Sequence, residues 1–300
     1  MCSSEKQDVA AIMPLVDDLN ERKARFEAAT VRVLTKMHVL RNELRDAIDL
    51  LQTHTFHYSE EERLQIAETL VSIVRDRNQS NTRAWDTYII LQSIFVEISR
   101  EKRTSIMNEF FARERPDMAY HVFNHMRQLE HPICKANRDT YIAVLRGIAG
   151  AGDEESLELV HNQMKLDLDI DPNTRLRNAL MMAYTGCEQP RRGLEFWEDI
   201  VNSREGPTYN SIEIAFRACE KMPFGERQAK ALWARLRKAD VAISKKIFAG
   251  YVGALAGNQL ADEAKETLVK GEKEFGFKPD VFLLGTLFNA SFGVKKQEDV

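Results

Sequence analysis

Few residues in this chain have the type and spacing that could do chemistry. His121 and His125 stand one helical turn apart, which places two imidazoles on one helix face where a zinc ion could sit if a third ligand stood near. No HExxH order surrounds them and no third ligand is evident, so a half-exposed helix face accounts for them. His54 and His57 flank an expected loop and make only a weak metal suggestion. Gly147, Gly150 and Gly152 run in the order GxxGxG, whereas a dinucleotide loop needs GxGxxG between a strand and a helix. Cys187 falls in an expected turn with no His or Asp close in sequence to activate it. Trp85, Trp197 and Trp233 fall at helix positions expected to be packed, although base stacking is the other use for an indole. No constellation assigns catalytic roles: the chain reads as non-enzymatic, without cofactor or metal.

The bulk properties agree. Of 300 residues, 44% are hydrophobic and 29% charged, enough apolar material for a sizeable core. Only 14 Gly and 8 Pro, with few alternating β-branched runs, argue against a β-sandwich or an α/β fold and leave helices. The formal net charge of −4 excludes a global positive field, so any nucleic-acid contact must be local. Cys2, Cys134, Cys187 and Cys219 lie far apart without a CxxC pair, which reads as reduced thiols. Apolar stretches are cut by charges too soon for a membrane span. The first residues, with Glu5 and Asp8, lack the Arg-rich character of a transit peptide; the chain either stays where it is made or is a fragment or processed form.

Two regions follow from the pattern. Residues 1–103 read as an N-terminal helical region. Within it, Leu15 to Leu51 contains no Gly or Pro, and apolar residues recur at Ile12, Leu19, Phe26, Val33, Leu40 and Ala47, flanked by Val16, Thr30, Met37, Leu44 and Leu51. That spacing predicts one long, coiled-coil-like helix, packed on two further helices or used for self-association. Ser59 with Glu62 predicts a capping box opening the next helix.

Residues 104–300 carry a repeat of about 35 residues. Helix-ending prolines stand at Pro132, Pro172, Pro207 and Pro279, and Gly152, Gly186, Gly225 and Gly257 fall about midway, where a tight turn between paired helices is expected. After each turn come spaced apolar residues, such as Ala119/Val122/Met126, Leu157/Val160/Met164 and Ala229/Leu232/Leu236. The fold class is therefore all-α: a helical bundle followed by an α-α superhelix of about five helix-turn-helix units, the last incomplete.

Asp139-Thr-Tyr, Ala151-Gly-Asp-Glu-Glu-Ser-Leu and Asp171-Pro-Asn in one unit, Gly206-Pro-Thr-Tyr-Asn in the next and Lys278-Pro-Asp in the last together resemble the pentatricopeptide repeat family. Tetratricopeptide repeats are the close competitor. The resemblance implies a solenoid that binds macromolecules, commonly single-stranded RNA at one base per repeat. It places the base-reading positions at Ile142, Asn178, Asn210, Ala249 and Gly285, with unit-exit positions at Asn173 and Asp280. Only Asn178 and Asn210 carry a side chain suited to a base edge at the first position, so little sequence specificity is expected. A basic patch of Arg175, Arg177, Arg191 and Arg192 could hold phosphates. The favoured expectation is a groove for protein, because the order of motifs is similar to a mitochondrial group of this family associated with complex I assembly. That resemblance implies a mitochondrial assembly chaperone holding a membrane-arm intermediate; organellar RNA binding in processing, stability or translation is the alternative.

Overall fold

Polar caps mark where the repeating helices start. Asn137, Asn173, Thr208 and Ser244 each accept a hydrogen bond from the backbone N–H three residues on, at Thr140, Leu176, Ser211 and Ile247, satisfying a donor that the first helical turn leaves orphaned. In the computed structural model these caps open a series of helical hairpins. The structure describes residues 24–288 apart from position 279, together with Pro14 and Asp18. Among them every regular element is helical and no strand occurs.

Contacts divide the chain into two units, Met1–Lys102 and Arg103–Val300. In the first, α1 (Ala28–Leu40), α2 (Leu44–His54), α3 (Glu60–Arg75) and α4 (Asn81–Ile94) pack as a small bundle. Ser59 and Glu62 form the expected capping box at α3. The continuous helix expected up to Leu51 is divided between α1 and α2 by Asn42, at φ 66°, in the left-handed region that Asn tolerates better than most residues. The buried face of α1 is Ala28, Val31, Leu34, Thr35, His38 and Val39, an ordinary helical stripe, while Val33 and Leu40 of the seven-residue pattern are exposed. Ile12, Val16 and Leu19 lie outside the described residues.

In the second unit the hairpins are α5 (Arg100–Ala112) with α6 (Pro116–Gln128), α7 (Arg138–Ala151) with α8 (Glu154–Leu166), α9 (Thr174–Gly186) with α10 (Pro190–Val201), α11 (Tyr209–Lys221) with α12 (Glu226–Lys238), and α13 (Lys245–Gly257) with α14 (Ala261–Phe275). Residues 281–288 are helical again. The first helices α7, α9, α11 and α13 pack side by side in one layer, and α8, α10, α12 and α14 each lie on the first helix of their own hairpin. Both helices of a hairpin are core-facing: Val144 and Leu145 of α7 and Ala215 and Phe216 of α11 are fully buried, as are Leu157 and Val160 of α8 and Ala229 of α12.

Each hairpin turns through one left-handed residue, at Glu114, Gly152, Glu188, Phe224 and Gln259. Glycine, expected at the last four of these turns, supplies the positive φ only at Gly152. Gly186 serves close packing instead: a Cβ there would fall 2.3 Å from the carbonyl oxygen of Ala149, so α7 and α9 approach backbone to backbone.

Charged residues about one repeat apart meet across adjacent hairpins. Lys135 reaches Asp169 at 2.9 Å, Lys230 reaches Glu263 at 2.7 Å and Arg175 reaches Asp139 at 3.5 Å, with Arg192–Glu158, Arg237–Glu274 and Lys245–Asp280 in the same relation. Exposed pairs of this kind are individually weak in water, but all of them join one hairpin to the next.

Candidate functional site

Several of the residues singled out for chemistry are packed into the framework. His125 lies 3.3 Å from the Arg103 guanidinium, and burial together with that cation lowers its pKa, an environment hostile to a metal cation. His54 is buried and stacked on Phe26 at 4.6 Å. Burial, then the carboxylates of Asp153 and Glu154, pushes the Cys187 thiol up to about 11, so it is no nucleophile at neutral pH. Trp233 stacks on Tyr251 with 4.5 Å between centroids, and Trp197 is buried. Among the described residues His38, Glu43 and Asp46 have metal-like proximity, but Arg41 already holds Glu43 at 2.7 Å.

Two polar clusters tie helices together. Arg127 of α6 donates to both oxygens of Asp167, at 2.8 and 3.1 Å, and to the Tyr141 hydroxyl at 2.9 Å, while that hydroxyl also donates to Asp167. In the next hairpin the His161 ring bonds the Tyr184 hydroxyl at 2.6 Å, Tyr184 lies against Phe196, and Arg192 covers the Tyr184 ring at 4.5 Å. Burial, helped by Lys165 and opposed by Glu158, pushes His161 down to about 4. The unfolded pKa is about 6.5, so the unfolded chain takes up the proton first, and the stability His161 provides above pH 6.5 is lost as pH falls toward 4. His161→Gln is therefore expected to be less stable than the natural chain at pH 7.5, with the gap narrowing by pH 5 in urea titrations at both values. A constant gap would contradict this assignment.

The base-reading positions inferred from the resemblance are mostly unavailable to a ligand. Ile142 and Ala249 are buried in the core. Asn178 is also buried, and its Oδ1 has no hydrogen-bond partner. Asn173 is occupied as the cap of α9, and Asp280 accepts from Lys245 and from the Leu283 N–H. Gly285 is half-buried, and Asn210 is exposed. The four arginines do not form one patch: Arg175 and Arg177 sit at the start of α9, whereas Arg191 and Arg192 open α10 at the other end of the hairpin, about 18 Å away for a 13-residue helix.

The structure instead gathers cations that were not singled out. Across the exposed side of the first-helix layer, Arg146 of α7 and Arg217 and Lys221 of α11 surround a cleft of about 160 Å³ bridged by α9, with Met182 and Ile214 as its apolar floor. All three cations are exposed, and none makes a close ion pair with a described residue. Of the nearby acids, Asp153 caps α8 and Glu154 accepts from Gln189 at 2.6 Å, while Glu220 lies beside Gly253 of α13, where burial raises its pKa against the opposing charges of Arg217 and Lys221. A signal did exist: Arg146 and Arg217 occupy the same place relative to the caps Asn137 and Thr208, two repeats apart. A larger hollow of about 450 Å³ near the start of α11, between Tyr209, Glu213 and Lys246, mixes both signs of charge.

No protein-family model matches the chain. Complex I intermediate-associated protein 84, mitochondrial, of Neurospora crassa is 33% identical over 313 residues, covering 97% of this chain and 39% of that protein. This chain is a helical-repeat homologue of that protein. It spans about two-fifths of the relative's length. Among solved structures, the pentatricopeptide repeat protein PPR10 from maize is 14% identical, with 97% of this chain and 45% of that chain covered and a TM-score of 0.44. The complex of PPR10 with an 18-nt psaJ RNA element is 11% identical, with 94% and 53% covered and a TM-score of 0.38. No helix among the described residues is long and apolar enough to cross a membrane.

Proposed function

We infer that this chain acts in mitochondria as part of an assembly factor for respiratory complex I, holding protein intermediates on the surface of its first-helix layer without catalysing a reaction. The observation that carries the reading is the relation to complex I intermediate-associated protein 84 along 97% of the chain. The geometry supports it: the helical hairpins offer an extended surface, and the clustered residues that could do chemistry serve the core instead.

Single-stranded RNA is the second reading, favoured by Arg146, Arg217 and Lys221 on that surface. It is the weaker one. Ile142 and Ala249 cannot reach a base from the core, and the cleft lining contains no aromatic ring on which a base would stack.

Tagged chain purified from mitochondria tests the choice. The expected result is co-migration with membrane-arm intermediates, unchanged by nuclease, and absence from the finished complex. Association with RNA alone, lost on nuclease treatment, would overturn the reading.

A further inference from the structure

The cleft between α7, α9 and α11 has two halves that call for two chemistries. Its floor, Met182 and Ile214, is apolar, and its rim is Arg146, Arg217 and Lys221. The volume of about 160 Å³ matches a cavity that takes a benzene-sized group. Exposed lysines and arginines ordinarily find a carboxylate when one is available, and one-repeat ion pairs do this elsewhere in the unit. These three rim cations make no close ion pair with a described residue; the one carboxylate that Arg217 and Lys221 act on, Glu220, is largely buried with its pKa raised, so the rim stays positive although the whole chain carries a net charge of −4. The positive charge is therefore a local departure from the rest of the molecule, centred on an apolar hollow.

We propose that this cleft binds an acidic-hydrophobic segment of a partner protein: one large apolar side chain enters between Met182 and Ile214, and flanking carboxylates pair with Arg146, Arg217 and Lys221. The inference deepens the protein-binding reading above and rests on it in taking a polypeptide as the occupant. Charge complementarity selects the acidic character. The apolar floor and the lack of an aromatic ring in the lining select a side chain over a stacked base. An open cleft of this size admits a single anchor, so affinity comes from the anchor and the ring of charges together.

The test uses the full chain and a fluorescein-labelled dodecapeptide of Glu and Asp around one central Phe, read by anisotropy. Binding is expected to fall about tenfold when the peptide Phe becomes Ser, and by a similar factor in the double variant Arg146→Gln/Arg217→Gln, with a shallower salt dependence. Gly150→Leu, built at a position where a Cβ meets nothing within 4 Å, is expected to crowd the cleft and reduce binding while the circular dichroism spectrum stays unchanged. Equal binding of peptide by natural and double-variant chain would overturn the proposal. So would a uridine dodecamer that binds more tightly than the peptide and is indifferent to Gly150→Leu. The two readings fail separately. Co-migration with complex I intermediates alongside peptide binding indifferent to the variants would sink the cleft and leave the assembly role. Variant-sensitive peptide binding without any co-migration would support the cleft and remove complex I as its setting.

Discussion

Replacing Arg127 with Met is expected to cost the second unit about 2–3 kcal/mol, read as a lowered urea midpoint at pH 7. The substitution keeps the apolar stem and removes the guanidinium, so Asp167 loses its bidentate partner and Tyr141 loses a donor to its hydroxyl. Removing one member of a buried pair costs about 3–5 kcal/mol because the other charge is left uncompensated. Here the side chains retain 18% and 28% exposure, which lowers the figure. Acid titration gives an independent reading. Burial raises the Asp167 pKa, but hydrogen bonds from Arg127 and Tyr141 outweigh it, and the net shift is downward. Stability from this carboxylate is then fully present above its unfolded pKa of about 4 and disappears as pH falls through the lower folded value. The Met variant should lose less on acidification than the natural chain. A midpoint within error of the natural one at pH 7 would refute the account.

Gly186→Ala is expected to destabilise by about 2 kcal/mol, against the ordinary gain of about 1 kcal/mol from exchanging Gly for Ala in a helix. The reason is the 2.3 Å approach of the added Cβ to the Ala149 carbonyl oxygen: two backbones must separate, and overpacking of this kind costs about 1–3 kcal/mol. Gly150→Ala is the control. It faces open space and should raise stability by about 0.5–1 kcal/mol. Thermal unfolding of both variants should move the midpoint in opposite directions, and a shift of the same sign for the two would exclude the packing explanation.

The pairing and period of the repeating helices were legible in the sequence because local chemistry carries them. Pro132, Pro172 and Pro207 each stand shortly before a first helix, and apolar positions such as Val122 and Val160 recur in step. What depends on the side-by-side packing of hairpins was not legible. Asn42 breaks the N-terminal helix in a stretch without Gly or Pro, since a single left-handed residue leaves the composition unchanged. Glycine at the turns predicted conformational freedom, whereas Gly186 answers to the backbone of a helix one repeat away. The arginines at positions 175 and 177 are close in sequence to those at 191 and 192, yet an intervening helix carries the two pairs to opposite ends of one hairpin. Arg146 and Arg217, far apart in sequence, come to one cleft because α9 between them supplies Met182 where a third cation would stand.

The ion pairs that join each hairpin to the next have a consequence for how such a chain can change length. Because Lys135–Asp169, Arg192–Glu158 and Lys230–Glu263 each bridge about one period, a cut made at a hairpin boundary and a whole hairpin spliced in would present the same kind of join on both sides. Gain or loss of complete units is thus the mild change for this architecture, while a few residues added inside a helix would throw the pairs that span that helix out of step and leave the joins farther along untouched.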